Sequence, residues 1–155
     1  MGSKLPPVWS ILFLVLPLSC GGEAGTWGIV VDDAWARPMT VELGAEGGLP
    51  GTNSAAYLDL RNGGKDPDRL LGVESSVAER TELHESVLDG DVMRMRRVDG
   101  VDLPPGEAVR LAPGGLHIML LDLRRSLEVG DTLTLTLTFR NAPSLSVAVP
   151  VRAGA

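Results

Sequence analysis

Cysteine is nearly missing from these 155 residues: the chain has one, Cys20, close to its start. The remainder therefore has no thiol for a disulfide, a redox-active cysteine pair or a thiolate metal ligand, so a fold must rest on its apolar core. Positive charge is also scarce. Fourteen Lys and Arg face twenty Asp and Glu, for a net charge of −6. Phosphate binding relies on clustered cations, so nucleic acid is excluded as a partner. The pairs Arg96-Arg97 and Arg124-Arg125 are short and read as solvated strand ends. No apolar run approaches the ~20 residues of a spanning helix. No stretch keeps helical periodicity over three turns, and there is no repeat or low-complexity tract. The chain lacks Gly-x-Ser-x-Gly, His-Glu-x-x-His and a phosphate-cradling glycine loop. The dipeptide His84-Glu85 is an isolated acid–base pair for which no nucleophile stands out, which leaves a hydrolase without support.

What is present begins with a targeting segment over residues 1–19. Lys4 gives it a positive start, and Val8 to Leu18 forms an apolar stretch of 11 residues interrupted by Ser10 and Pro17. Leu16-Pro-Leu-Ser-Cys20 resembles a bacterial lipobox, which makes Cys20 the lipidated first residue of the mature chain. A plain secretory signal and an uncleaved anchor are the alternatives. Removing residues 1–19 takes away Lys4 and no acid, moving the net charge from −6 to −7. Residues 20–27 read as a tether, and residues 28–153 as a single domain outside the cytoplasm.

That domain reads as β throughout. Strands are predicted at 29–35, 54–60, 69–76, 79–88, 91–98, 107–112, 115–122, 131–140 and 144–151. Thr132 to Phe139 alternates strictly between Thr and an apolar residue, the mark of a half-buried strand. Residues 40–53 hold four glycines and a proline and read as a loop without an assigned role. Eight or nine short strands with regular turn signals predict an all-β fold, an antiparallel Greek-key sandwich or barrel.

Both histidines of the chain stand near methionines. Around Asp89-Gly90, Leu83-His84-Glu85-Ser-Val-Leu leads into Asp91-Val-Met93-Arg-Met95-Arg96. A type I′ turn centred on Asp89 and Gly90 sets His84 opposite Met95, and Glu85 opposite Arg94 as an ion pair. A turn centred one residue later sets Arg97 opposite His84 instead. Downstream, His117-Ile-Met119 puts an imidazole and a thioether on one side of a strand. Thioether sulfur is a poor ligand for Mg, Ca or Zn, whereas imidazole with thioether suits copper, above all Cu(I). A blue-copper electron carrier needs a thiolate, which the domain lacks. The expected metal ligands are His84, Met95, His117 and Met119. Met93 is read as packing or rim, and Met39 is left unassigned.

These residues resemble the signature of the periplasmic copper chaperones of the PCuAC family: a His, ten residues, a Met, twenty-one residues, then His-x-Met. His84, Met95, His117 and Met119 match in type and spacing. The likeness includes Ala34-Trp-Ala-Arg37, Ala55-Ala-Tyr57-Leu, Leu111-x-Pro-Gly-Gly115 and Val147 to Val151. The resemblance implies a cupredoxin-like sandwich carrying Cu(I) near one edge. It also implies a periplasmic role, with copper delivered towards the binuclear copper site of cytochrome c oxidase alongside a thiol chaperone. Glu85 stands where many members have a second Met, and no His- and Met-rich tail follows Val151. One copper per monomer and no catalytic turnover are expected. The competing reading is a structural or adhesive β-sandwich of the cell envelope without metal.

Overall fold

The computed structural model describes residues 28–41 and 51–154. The expected signal peptide, the tether, Cys20 and most of the glycine-rich loop lie outside the described residues. Among those described there is no helix, and ten strands account for the regular structure. They are β1 (Ile29–Ala36), β2 (Ser54–Asn62), β3 (Asp68–Glu74), β4 (Ala78–Asp89), β5 (Val92–Arg97), β6 (Val101–Leu103), β7 (Ala108–Leu111), β8 (Leu116–Leu123), β9 (Thr132–Phe139) and β10 (Leu145–Pro150). Nine match the predicted runs closely. The additional one, β6, has three residues, too few to display a period, and is held by pairing Val101 and Leu103 with Leu70 and Asp68 on β3.

Two antiparallel sheets pack face to face. One runs β1-β2-β8-β4-β5, with β7 joining β2, and the other runs β10-β9-β3-β6. Strand β2 serves β8 with Ser54 to Ala56 and β7 with Leu58 to Arg61, both along the same edge. Alternation decides what each face carries. Leu58, Leu60, Leu83, Ile118 and Leu120 point inward and meet Leu70, Leu135, Leu137 and Val149 of the second sheet in one dry core. Burying a leucine-sized side chain contributes ~1.5–3 kcal/mol, so this layer supplies the stability that disulfides do not.

The second sheet is anchored at one end by Asp68, which is buried. Its carboxylate accepts the backbone N–H groups of Arg69, Asn141 and Ala142 at 2.7, 3.0 and 2.9 Å. Burial by itself raises the pKa of such an acid. The N–H groups of Arg69, Ala142, Asn141 and Arg140 outweigh burial and hold it below the usual carboxylate value.

Candidate metal centre

The outer face of the six-stranded sheet carries the site. Its centre is β8, which enters through Ala112-Pro113-Gly114-Gly115. Pro113 presets φ at the second turn position, Gly114 takes φ +83° at the third, and the Gly115 N–H bonds to the Ala112 carbonyl at 3.0 Å. This is type II turn chemistry. It fixes the Gly115 carbonyl, which accepts both the Ser86 N–H (3.1 Å) and the His117 Nδ1–H (2.9 Å).

Across the ladder from His117 stands His84 of β4, directly paired with it, the two ring centroids 5.9 Å apart. The strands thus bring both imidazoles together without help from the hairpin turn. Met119 lies two residues along β8 on the same side and faces Glu82.

The hairpin register is the point where the structure corrects the first expectation. The turn is centred on Gly90 and Asp91, so His84 pairs with Arg97, and Met95 pairs with Ser86. Gly90 has φ +64°, while Asp91 is not in the positive-φ region. One positive φ at the first central position is the type II′ pattern, which needs Gly there and leaves the second position to any residue. Asp89 accordingly belongs to the strand, where its carboxylate meets Arg94 at 2.8 Å. Glu85 pairs with Arg96 rather than with Arg94, its carboxylate 2.7 Å from the guanidinium. Met95 keeps the face of His84 but stands diagonal to it, a separation of about 7–8 Å between Cα atoms in a typical sheet. A Met side chain spans such a diagonal.

Met95, His117 and Met119 line one open cavity of ≈ 780 Å³ with Tyr57, Met39 and Pro113. Burial differs sharply among them: His117 is 5% exposed and Met95 64%. Met93, on the same side of β5 nearer the tip, is exposed and packs into no core, which removes the core half of the role expected of it and leaves a place at the rim. The floor of the cavity is aromatic. Tyr57 lies 6.5 Å from the His117 ring and 4.6 Å from Trp35, and Met119 packs against this cluster. Trp35 reaches the outer face because β1 is irregular between Asp32 and Trp35, where Asp33 takes φ +44°. That bulge shifts the alternation, so Val31 points to the core and Trp35 away from it.

Hydrogen bonding defines which nitrogens are free. The carbonyl of Gly115 can only accept, so Nδ1 of His117 carries the proton and Nε2 keeps its lone pair. His84 is the reverse: its Nε2 lies 2.9 Å from Glu82 Oε2, and its buried Nδ1 has no partner. A buried polar atom left without a partner costs ~1–3 kcal/mol, which makes a cation at that nitrogen favourable. Glu82 is held ionised below its usual pKa, first by the bond from His84 and then by the nearby Arg97 and Arg80 guanidinium groups. Among the described residues no three His, Cys, Asp or Glu side chains gather as a metal site. The His84 and His117 rings adjoin, and His117, Met95 and Met119 line the cavity, whose lining does not include His84.

The comparisons with known proteins fall on this same domain. A family described as "Putative lipoprotein LpqE-like" matches residues 29–151, which contain every strand and all four expected ligands. The chain belongs to the LpqE-like family. A relative from Leifsonia xyli subsp. xyli, "Putative lipoprotein Lxx21020", is 35% identical over 126 residues, 81% of this chain and 70% of its own length. An uncharacterised Rickettsia prowazekii protein, RP573, is 32% identical over 118 residues; the match covers 76% of this chain and 62% of that protein. Solved structures of PCuAC domains share the fold. The copper-bound PCuAC domain from PmoF2 aligns with TM-score 0.63 and 28% identity over 81% of this chain and 93% of that domain. The Cu(I) form of DR1885 from Deinococcus radiodurans aligns with TM-score 0.57 and 28% identity over 79% of this chain and 78% of that one. The likeness to PCuAC domains and the all-β sandwich expected from the sequence are thus both borne out.

Three features of the LpqE-like site were missed by sequence reasoning. Glu82 was legible, because it stands two residues before His84 and therefore on its side of the strand. Tyr57 was legible in the same way once β2 is paired with β8. Trp35 was not, since unbroken alternation sends it to the opposite face.

Proposed function

We propose that this LpqE-like protein carries one Cu(I) ion as cargo on the outer face of its six-stranded sheet and passes it to a partner protein. His84, His117 and Met119 grip the ion, and Met95 closes the set from the hairpin. The observation that carries this reading is the opposed pair of imidazoles, each with one nitrogen tied to an acceptor and the other free, beside a cavity lined by methionine sulfur. Neutral imidazole and thioether donors favour Cu(I) over hard cations, and without a thiolate the ion is released readily to competing ligands. The copper-bound PmoF2 domain and the Cu(I) form of DR1885, which share the fold, support the same assignment.

The chemistry is ligand exchange, with no catalytic turnover. A partner's donor enters from the open cavity, displaces the exposed Met95 first, and draws the ion away from the two imidazoles. The location is the periplasmic side of the cell envelope, with Cys20 as a lipid anchor, in keeping with the lipoprotein naming of the family and of the Leifsonia relative. The acceptor is the assembly route of the binuclear copper site of cytochrome c oxidase, as the PCuAC resemblance implies.

An anaerobic Cu(I) titration against a colorimetric chelator tests the reading. The protein is expected to withdraw one equivalent, and the double variant His84→Ala/His117→Ala to bind at least about a hundredfold more weakly, since outer partners of metal ligands alone cost 10–100-fold. If the double variant holds copper as tightly as the parent, the ion sits elsewhere and the site is misassigned; if the parent leaves the chelator signal unchanged, the domain is a metal-free envelope sandwich.

A further inference from the structure

Resting on the copper reading above, we propose that Glu82 positions His84 so that the ion is bound by opposite nitrogens of the two imidazoles, Nδ1 of His84 and Nε2 of His117.

Glu82 is two residues before His84 on β4, so both side chains leave the strand on the outer face. Its Oε2 is 2.9 Å from His84 Nε2, and its Oε1 is 3.6 Å from both the Arg97 and the Arg80 guanidinium groups. Guanidinium groups can only donate, so Oε1 accepts on the Arg80 and Arg97 side and Oε2 is the acceptor turned to the His84 ring. The proton of the neutral His84 ring therefore resides on Nε2, and the lone pair on Nδ1, the buried atom that has no protein partner. On β8 the acceptor is a backbone carbonyl, that of Gly115, and it takes the other ring position of His117, leaving Nε2.

Two acceptors of different kinds thus choose the donor atoms. A carboxylate on one strand and a carbonyl on the next leave a short arm from β4, because Nδ1 is near the backbone, and a long arm from β8. Metal-bound histidines regularly donate their second N–H to such groups, which sets ring orientation and raises donor strength. Glu82 differs from a bare surface ion pair in one respect that can be measured. Its hydrogen bond goes to a ligand ring, and Arg97 ties it to the strand opposite His84.

The test uses the ¹⁵N-labelled protein and long-range ¹H–¹⁵N spectra of the two imidazoles before and after one equivalent of Cu(I) under anaerobic conditions. Expected are metal-induced shifts at His84 Nδ1 and His117 Nε2, with Nε2 of His84 remaining protonated. A shift at His84 Nε2 overturns this inference while leaving the copper reading standing. No response from either ring overturns both. A second arm compares Glu82→Ala with Glu82→Gln, whose side-chain oxygen still accepts from Nε2–H. Cu(I) affinity is expected to fall about tenfold to a hundredfold in the Ala variant and to be largely retained in the Gln variant. Equal affinity in parent and Glu82→Ala, with the same nitrogens shifted, shows that Glu82 is an ion pair and nothing more.

Discussion

The two faces of the six-stranded sheet are made from alternate residues of the same strands and have opposite characters. On β8, Ile118 and Leu120 are fully buried in the core, while His117 and Met119 on the other side border an open cavity. On β4, Leu83 enters the core between Glu82 and His84, which do not. The apolar face fixes the spacing of the strands, and the ladder then sets the separation of the imidazoles at no extra cost. A site built on a central strand is thereby rigid, yet it opens to one side for exchange. The comparison predicts that stability and copper binding separate cleanly between the faces.

The largest effect is expected from the inner face. Leu60→Ala removes a fully buried side chain and should cost ~2–5 kcal/mol of unfolding free energy, read as a lower denaturant midpoint. Copper bound per folded molecule should not change. A loss of copper affinity in proportion to stability, measured well below the unfolding transition, breaks the separation of faces. On the outer face, Met119→Ala should weaken Cu(I) about tenfold to a hundredfold, or ~1.4–2.7 kcal/mol. Its melting temperature should shift little, because Met119 is only partly covered by the Trp35–Tyr57 cluster.

Asp68 offers a lever on the fold at the far sheet. Its folded pKa is depressed, so its contribution is complete above the unfolded value near 3.9 and is lost as pH falls through the folded pKa. Asp68→Asn replaces an acceptor of several N–H groups and should cost ~1–2 kcal/mol at pH 7. The gap between variant and parent should close as the pH is lowered below about 4. Urea unfolding at pH 7 and at pH 3 measures it, and a gap independent of pH removes the carboxylate from the account.

How far these contrasts could be read in advance differs by feature. Alternation in Thr132 to Phe139 and the His-x-Met spacing at 117–119 are local patterns, so β9 and the β8 half of the site were visible. The hairpin register was a choice between two turns that share Asp89, Gly90 and Asp91, and a one-residue change of centre moves every pair. Sequence favoured Asp-Gly as the central dipeptide. The strand won because Gly90 alone takes the positive φ, and Asp89, Val87 and Glu85 can then continue β4 with their pairs to Val92, Arg94 and Arg96 formed. Trp35 needed the β1 bulge, and β6 needed β3 as a partner; both are products of tertiary contact that no local pattern encodes.

The smallest change in affinity, and the sharpest use of the contrast, concerns centre against edge on the outer face itself. Met119 lies on a strand flanked by β2 and β4, while Met95 lies on β5, at the end of the strand order, with every residue of that strand exposed. A flexible thioether on an exposed edge gains little from preorganisation, so Met95→Ala should weaken Cu(I) by no more than about tenfold, ~1.4 kcal/mol. Its effect should fall on the rate instead. If Met95 is the ligand that partners displace first, removing it opens a coordination position, and stopped-flow transfer to a chelator should quicken by more than the affinity loss alone accounts for. Transfer that slows, or an affinity loss as large as that of Met119→Ala, would mean that the edge strand grips the ion as firmly as the centre does. The division between a holding half and a releasing half would then have to be abandoned.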